Sequence, residues 1–234
     1  MRTNLIAIKN WCLDLFFPRK CVSCGSFGEF LCKRCLHRIH KIHEKIAIPN
    51  LNCVYAIYRY EKHGVLQMAI KSLKYRFIYD IAIYFKQDLE DFLIKNFSKK
   101  DCVLVPIPLH PKREKWRGFN QAEILIHGVS HSRNSLYYGA RNALRPCAVG
   151  WQTANLLKRI RNTTPQAELE KHERLSNLNG AFAVRDIIPM WLLNKKIILI
   201  DDICTTGATM SECANVLRQA GAKEVYGLTL GHGG

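Results

Sequence analysis

The segment 197–209 constrains the fold of this chain more than any other. It opens with four apolar residues, 197–200, and continues with two adjacent aspartates, Asp201 and Asp202. A continuous apolar run is typical of a central strand in a parallel sheet, which is buried on both faces. Small residues follow, and the spacing of apolar residues in 208–220 predicts a helix. We therefore predict a strand–turn–helix unit within an α/β fold, with both carboxylates at the carboxyl end of a strand.

The turn of this unit is rich in hydroxyl groups. Its sequence is Thr205, Thr206, Gly207, Ala208, Thr209. Backbone N–H groups and hydroxyls ahead of a helix N-terminus form a cradle for a phosphate monoester, and glycine permits a tight backbone turn. The two aspartates could accept hydrogen bonds from the vicinal hydroxyls of a ribose and add negative charge near a bound Mg²⁺. The alternative is a strand–turn–helix in which the acids only cap the turn.

A second apolar stretch, 103–105, leads into a stiff and basic segment. Pro106 and Pro108 restrict the strand exit. Cationic or titratable side chains follow at His110, Lys112, Arg113, Lys115 and Arg117. Several cations close together suit a diphosphate. The alternative is a solvated basic loop.

Two Cys-x-x-Cys pairs lie near the N-terminus. They are Cys21 with Cys24, and Cys32 with Cys35, with seven residues between the pairs. Four thiolates at this spacing fit a tetrahedral Zn²⁺ site, and a full set of protein ligands indicates a structural metal. Redox-active pairs and an iron site are the alternatives. We expect the remaining cysteines to be small hydrophobic residues: Cys12, Cys53, Cys102, Cys147, Cys204 and Cys213.

The rest of the chain predicts strands alternating with helices. Strands are expected at 53–60, 101–106, 196–201 and 224–230, and helices at 63–73, 78–94, 119–129 and 208–220. A short amphipathic helix is expected before residue 17. We predict that 36–50 is a connector whose histidines, 37, 40 and 43, line an exposed helix face; the alternative is that one of them replaces a cysteine as a metal ligand. Residues 130–153 form an irregular insertion with no predicted element.

The chain carries a large positive charge. Its 35 Lys and Arg residues exceed its 19 Asp and Glu residues, for a net charge of +16. Such a balance favours polyanions such as nucleic acid, although it also occurs for solubility alone. No apolar run reaches the roughly 20 residues of a membrane span, and no signal-peptide cleavage site is evident. We therefore expect a cytoplasmic protein whose clustered cysteines bind metal.

Together these segments resemble the ComF family. The segment 198–209 is similar to the motif by which type I phosphoribosyltransferases bind 5-phosphoribosyl pyrophosphate (PRPP), except that Cys204 replaces a usual aliphatic or aromatic residue. The segments 117–121, 164–169, 173–177 and 180–182 extend the resemblance over nearly the whole chain. It implies a zinc ribbon at 1–48 and a type I phosphoribosyltransferase-like domain at 49–234, with a mostly parallel sheet flanked by helices.

The resemblance also implies roles for particular residues. Asp201 and Asp202 would hold the ribose, and 205–209 the 5-phosphate. The pyrophosphate would face the loop 109–113, with Arg117, Asn120 and Gln121 nearby. Mg²⁺ would accompany PRPP, and residues 163–166 with Arg174 would form a mobile hood.

Three functions follow from these features. The first is a ComF-like protein that binds PRPP or a related ribose 5-phosphate ligand, with a role in DNA uptake and competence. If it is catalytic, Asp201 and Asp202 would steady the ribose while pyrophosphate is displaced. The second is a non-catalytic nucleic-acid-binding protein of DNA uptake or processing, with single-stranded DNA and the DNA-uptake machinery as candidate partners. The third, amidophosphoribosyl transfer in purine synthesis, would need a glutaminase domain that this sequence does not contain.

Overall fold

The computed structural model describes residues 18–130, 150–162, 178–186 and 188–233. The predicted N-terminal helix and the predicted hood lie outside the described residues. So does most of the insertion.

The centre of the molecule is a six-stranded sheet. Its strands, in spatial order, are β1 (Lys41–Ile46), β2 (Cys53–Arg59), β8 (Glu224–His232), β7 (Lys196–Cys204), β3 (Cys102–Pro106) and β4 (Gln152–Thr153). Only β1 is antiparallel to its neighbour. A separate antiparallel pair consists of β5 (Leu157–Arg159) and β6 (Phe182–Val184). The predicted α/β fold with a mostly parallel sheet is confirmed.

Helices cover both faces of the sheet. They are α1 (Lys33–Leu36), α2 (Val65–Tyr75), α3 (Lys86–Asn96), α4 (Pro111–Arg117), α5 (Gln121–Ser130), α6 (Met190–Leu193) and α7 (Ala208–Gln219). The single helix predicted over 78–94 is instead a 3-10 helix, Tyr79–Phe85, followed by α3. None of the described helices is long and apolar enough to cross a membrane.

Strand β7 shows why the sheet must be covered on both faces. Ile197 and Leu199 pack with α7, whereas Ile198 and Ile200 pack with α2, α3 and α5. All four side chains are buried. Burial of one such side chain contributes roughly 2 kcal/mol to stability. Strand β7 is therefore a firmly held support for the residues that follow it in the chain.

Strand β1 corrects the prediction for residues 36–50. The segment Lys41–Ile46 is a strand and not a connector, and His43 lies within it rather than on a helix face. The pairing with β2 is interrupted between Lys41 and Glu44, where His43 takes a positive φ of 48°. The sequence of β1 is polar because it is an edge strand, and its conformation is set by hydrogen bonds to β2 and not by its own propensity.

The cysteine segment packs against the rest of the protein. Cys21, Leu31 and Cys35 share one buried cluster with Ile81 and Phe85 of the 3-10 helix. Strand β1 precedes the boundary predicted after residue 48 but pairs with β2 beyond it. The division into a ribbon and a second domain stays a prediction.

Candidate functional site

Two chain segments meet at the carboxyl edge of the sheet. Strands β3 and β7 are parallel neighbours, and Pro106 lies beside Ile200. The turn after β3 and the end of β7 must therefore lie at the same edge, where ligands of open α/β sheets usually bind. We call this region the carboxyl edge: Asp201 and Asp202, the turn 205–207, and the charged groups around them.

The two aspartates are fixed in different ways. Asp202 is 2% exposed. One oxygen, Oδ1, accepts a hydrogen bond of 2.8 Å from the backbone N–H of Ile203, and Oδ2 forms an ion pair of 2.7 Å with Nζ of Lys74. Asp201 is partly exposed, and its Oδ1 accepts a hydrogen bond of 2.8 Å from the N–H of Asp202. Asp202 is thus locked by a cation of the protein, whereas Asp201 is the more accessible acid.

Burial raises the pKa of Asp201 to about 7. The negative charge of Asp202 contributes to this raised pKa, and the positive charge of Lys74 opposes it. A carboxyl group in this state gains from a nearby cation or from hydroxyl donors, because either would stabilise its charged form. The carboxyl edge is therefore electrostatically suited to a ligand that brings Mg²⁺ and hydroxyl groups.

Lys74 is a site residue that the sequence analysis missed. It lies in the last turn of α2, four residues after the buried Ile70. A lysine on the buried face of a helix needs a partner of opposite charge. The position of Lys74 on that face was therefore the sequence signal that could have assigned it to the site. Loss of hydration opposes the charge of Lys74, but Asp202 and Asp201 raise its pKa, so the ammonium form is favoured.

The turn after β7 leads directly into α7. Gly207 takes a φ of 75° at the N-cap, and the backbone N–H of Ala208 at the start of α7 donates to Oγ1 of Thr206 at 3.4 Å. Thr205, Thr206 and Thr209 are partly exposed. The N-terminus of a twelve-residue helix carries partial positive charge, which favours an anion beside these hydroxyls.

Gly207 is required for packing as well as for its φ. A Cβ at this position would lie 2.2 Å from Cδ1 of Ile48. Ile48 belongs to the buried cluster that includes Ala208 of α7. The chain before β2 therefore packs against the start of α7. This packing leaves no room for a side chain at position 207.

The basic segment after β3 is a helix, which corrects its prediction as a loop. His110 caps α4 by accepting a hydrogen bond of 3.2 Å from the backbone N–H of Lys112, and Pro111 occupies the first turn. Gly118, with a φ of 81°, ends the helix. The cations of this segment are therefore spaced by helical geometry, with Lys112 exposed and Arg113 partly exposed.

Arg117 faces inward and not toward solvent. Its guanidinium donates to Oε1 of Gln121, while its Nε is buried without a hydrogen-bond partner among the described residues. Burial lowers the pKa of Arg117, and the charges of Asp202 and Asp201 oppose that shift. Arg117 therefore adds a buried cation that interacts electrostatically with the acid pair, and its Nε has no hydrogen-bond partner among the described residues.

Arg159 is the second residue that the sequence analysis did not assign to the site. Arg159 and the buried Leu157 are two residues apart in β5, so both side chains lie on the buried face of that strand. Its guanidinium lies 5.2 Å from the ring centre of Phe182. Burial, with the charge of Arg113, lowers the pKa of Arg159 to about 10, and Asp201 acts in the opposite direction. Arg159 thus repels Arg113 and is attracted by Asp201.

The four paired cysteines come together at a second candidate site. Their Sγ atoms all lie within 4.8 Å of one another and could hold a metal ion. The Sγ atoms of Cys24 and Cys32 are 3.7 Å apart. A tetrahedron with Zn–S bonds of about 2.3 Å separates its sulfurs by about 3.8 Å. The spacing therefore suits zinc.

Hydrogen bonds to the thiols prepare some of them for ionisation. The side chain and backbone of Ser26 lower the pKa of Cys24 to about 5, with help from Arg34. Burial raises the pKa of Cys35 to about 11. A buried thiol of this kind ionises readily only when a metal compensates its charge.

Comparison with known proteins gives relatives with related names. No family model matches the chain. Competence protein ComFC of Streptococcus pneumoniae is 31% identical over 163 residues, which are 69% of this chain and 63% of that protein. Competence protein ComFC of Bacillus subtilis is 31% identical over 172 residues, 73% of this chain and 61% of that protein. The chain belongs to the ComF family.

A further ComF relative is named for DNA. The DNA utilization protein YhgH of Salmonella typhi is 33% identical over 122 residues, which are 52% of this chain and 45% of that protein. The chain spans less than two thirds of the length of these relatives.

Asn120 and Gln121, which the resemblance placed near a pyrophosphate, both have structural partners. The side-chain N–H of Asn120 donates to the carbonyl of Ile107 at 3.0 Å, and its oxygen accepts from the N–H of Ala122 at 3.0 Å. Asn120 therefore ties the end of β3 to the start of α5. Gln121 accepts from Arg117, so it orients a cation.

The unpaired cysteines of this ComF chain are buried where they are described. Cys53, Cys102, Cys204 and Cys213 are at most 3% exposed, as predicted for small hydrophobic residues. Cys12 and Cys147 lie outside the described residues.

Proposed function

We propose that this protein binds PRPP, or a related ribose 5-phosphate ligand, with Mg²⁺ at the carboxyl edge, and that it acts in DNA uptake or processing. One observation carries the ligand proposal. The acid pair at the end of β7, with Lys74 on Asp202, directly precedes a hydroxyl-rich turn that starts a helix.

The acids and the turn suit the two ends of a ribose 5-phosphate. Asp201 and Asp202 would accept hydrogen bonds from the 2- and 3-hydroxyls. Hydroxyls of Thr205, Thr206 and Thr209, with backbone N–H groups at 206–209, would surround the phosphate. The short path from Asp202 to Thr205 fits a ligand whose diol and phosphate are separated by a few bonds.

The cations around the acids suit a diphosphate. Lys112 and Arg113 come from α4, Arg117 from its inner face, and Arg159 from β5. Arg113 repels both Arg117 and Arg159. An anion between them would relieve this repulsion, and a bound Mg²⁺ would add to the neutralisation of the diphosphate charge.

The reaction that such a site supports is displacement of pyrophosphate from the anomeric carbon of the ribose. Asp201 and Asp202 would hold the sugar by its hydroxyls and offset the positive charge that develops on it. Arg113 and Arg117 would stabilise the leaving diphosphate. Bound Mg²⁺ would add Lewis-acid stabilisation of the same group.

Relatives and charge support the DNA part of the proposal. The relatives carry the names competence protein and DNA utilization protein. The net charge of +16 favours polyanionic partners. We propose in addition that the four cysteines hold a structural Zn²⁺, because a tetrahedral thiolate set leaves no open position for chemistry.

Calorimetry with PRPP and Mg²⁺ tests the ligand proposal. The parent should release or absorb heat with a stoichiometry of one ligand per chain. Asp201→Asn/Asp202→Asn should lose that signal, because neutral amides cannot replace the charge that the ribose and metal require.

A matched control removes the same charge elsewhere. Glu90→Gln/Asp91→Asn, on α3, should bind like the parent. Absence of heat from the parent would refute the proposed ligand, and equal binding by both double variants would refute the proposed site.

A further inference from the structure

A row of aromatic rings borders the carboxyl edge. We call it the aromatic ledge: Tyr75, Phe77, Tyr79, Trp116 and Phe119. Tyr75 and Phe77 both contact Trp116, with ring centres 6.3 and 5.6 Å apart. Phe77 and Tyr79 both contact Phe119, at 6.4 and 4.8 Å. The five rings thus form one continuous row across the end of α2, the end of α4 and the chain that follows each.

Four of the five rings face solvent. Trp116 is 61% exposed, Tyr75 58%, Phe77 38% and Tyr79 37%, whereas Phe119 is buried beneath them. Aromatic side chains of this size gain roughly 2 kcal/mol from burial, so a contiguous exposed row is a feature that needs an explanation.

The backbone of Phe77 also carries strain. Its φ is 58°, in the left-handed region that a bulky non-glycine residue rarely adopts. This conformation turns the chain directly after α2 and brings the ring of Phe77 between Trp116 and Phe119. Strain of this kind persists where the surrounding structure enforces it, commonly at functional surfaces.

The ledge is joined to the proposed ligand site by two residues. The guanidinium of Arg117 lies 5.8 Å from the ring centre of Tyr75 and interacts electrostatically with Asp202. Lys74, next to Tyr75 in α2, forms the ion pair with Asp202. A chain lying on the rings would therefore lead into the carboxyl edge.

The surroundings of the ledge are strongly basic. Residues 71–80 contain three Lys or Arg residues and one Asp. Residues 111–117 contain four Lys or Arg residues and one Glu. Arg76, Lys112 and Lys115 are exposed beside the rings. Exposed aromatic rings next to a surplus of cations match the chemistry of a strand that presents both flat bases and a phosphate backbone.

We propose that the aromatic ledge is a stacking platform for the bases of a single-stranded nucleic acid, whose phosphates lie on the neighbouring cations. This proposal rests on the DNA part of the proposed function and assigns its contact surface. A duplex fits less well because its bases are already stacked. An apolar protein partner fits less well because it would leave the surrounding cations without counter-charges.

Fluorescence anisotropy with a short labelled oligothymidylate tests the ledge. Trp116→Ala should weaken binding roughly tenfold, since one base–aromatic stack is worth about that factor. Trp116→Phe should retain most of the affinity but lose most of the quenching of tryptophan emission that the oligonucleotide causes in the parent. Lys115→Gln should reduce the dependence of affinity on salt and keep the quenching.

Matched controls separate stacking from other losses. Ile94→Ala removes an exposed apolar side chain from α3 and should bind like the parent. A duplex of the same length should bind with an affinity that Trp116→Ala does not change. Equal binding of single strands by the parent and Trp116→Ala would overturn the proposal. So would a parent that self-associates through Trp116, seen as a dimer that Trp116→Ala converts to a monomer with unchanged DNA binding.

The failure of this proposal can be told apart from that of the proposed function. A parent that binds no single-stranded DNA refutes the DNA role and the ledge together. A parent that binds DNA while Trp116→Ala binds it equally well refutes the ledge alone. The PRPP titration is read separately, and Trp116→Ala should keep the heat of the parent.

Discussion

The carboxyl edge groups two carboxylates, and the cysteine cluster groups four thiols that become negative when they bind a metal. The two regions differ in the source of the positive charge that balances these groups. At the carboxyl edge the protein supplies it, through Lys74 at 2.7 Å from Asp202 and through Arg117. At the cysteine cluster the interacting cation is Arg34, which is exposed and reaches mainly Cys24. A site with its own cations can fold before its ligand arrives. A site whose cation is external depends on that cation for its stability.

Metal removal should therefore have the largest effect on stability. Structural Zn²⁺ binding in small zinc domains is worth about 10–16 kcal/mol, so its loss should release the cysteine segment from the core it shares with Ile81 and Phe85. Cys35→Ser should lose bound metal, measured by elemental analysis, and show a large fall in Tm. Cys53→Ala, which removes another buried thiol, should keep the metal and most of the Tm. Equal falls for both variants would contradict a stabilising metal.

The ion pair at the carboxyl edge should have the next largest effect. Lys74→Met leaves Asp202 buried without its cation, which should cost roughly 3 kcal/mol in the free energy of unfolding measured with urea. The double variant Lys74→Met/Asp202→Asn should recover most of that loss, because the unpaired charge is gone. If the double variant is no more stable than Lys74→Met, the loss of stability comes from the packing of the lysine side chain. The carboxyl edge would then not depend on Lys74 as the cation that balances Asp202.

Gly207→Ala should cost less, about 1–3 kcal/mol, from its positive φ and its clash with Ile48. Gly180→Ala is a matched control, because it has a φ of 65° but no atom within 4 Å of the added Cβ. The difference between the two thermal shifts isolates the clash. Ile48→Ala in the Gly207→Ala background should reduce that difference, and a lack of any such effect would contradict the packing described here.

Asp201→Asn should change stability with the opposite sign to the variants above, and only above about pH 4. The folded pKa of about 7 exceeds the usual value near 4, so the native state holds a proton that the unfolded chain has released. Stability from this group is fully present below pH 4 and is lost as the pH rises toward 7. Urea denaturation between pH 4 and 8 should show this decline in the parent and a flatter profile in Asp201→Asn. A steeper decline in the variant would contradict the raised pKa.

The sequence predicted the elements that are buried on both sides. Strand β7 and helix α7 were found because full burial leaves an unbroken apolar run and a clear helical spacing. Helix α4 was missed although its signal was present, since Pro111 suits the first turn of a helix as well as a rigid loop. Strand β1 left no periodic signal, because its conformation depends on its partner strand.

The candidate site divides in the same way. The acids and the threonine turn form one continuous motif, so their proximity could be predicted. Lys74 pairs with Asp202, and Arg159 interacts electrostatically with Asp201, from distant parts of the chain. The only sequence signal for either residue was a basic side chain on an otherwise buried face. Such residues are found from sequence by asking which buried positions carry a charge.

The irregular strand β1 also affects how readily another molecule could add a strand to the sheet. An edge strand exposes unpaired backbone groups to which another molecule could add a strand. Here that edge carries Lys41, Glu44 and Lys45, and the shift in register beside His43 breaks its regularity. At the opposite side of the sheet, β4 is only two residues long. Both margins of the described sheet therefore lack the long, regular and apolar edge that favours strand addition by another molecule.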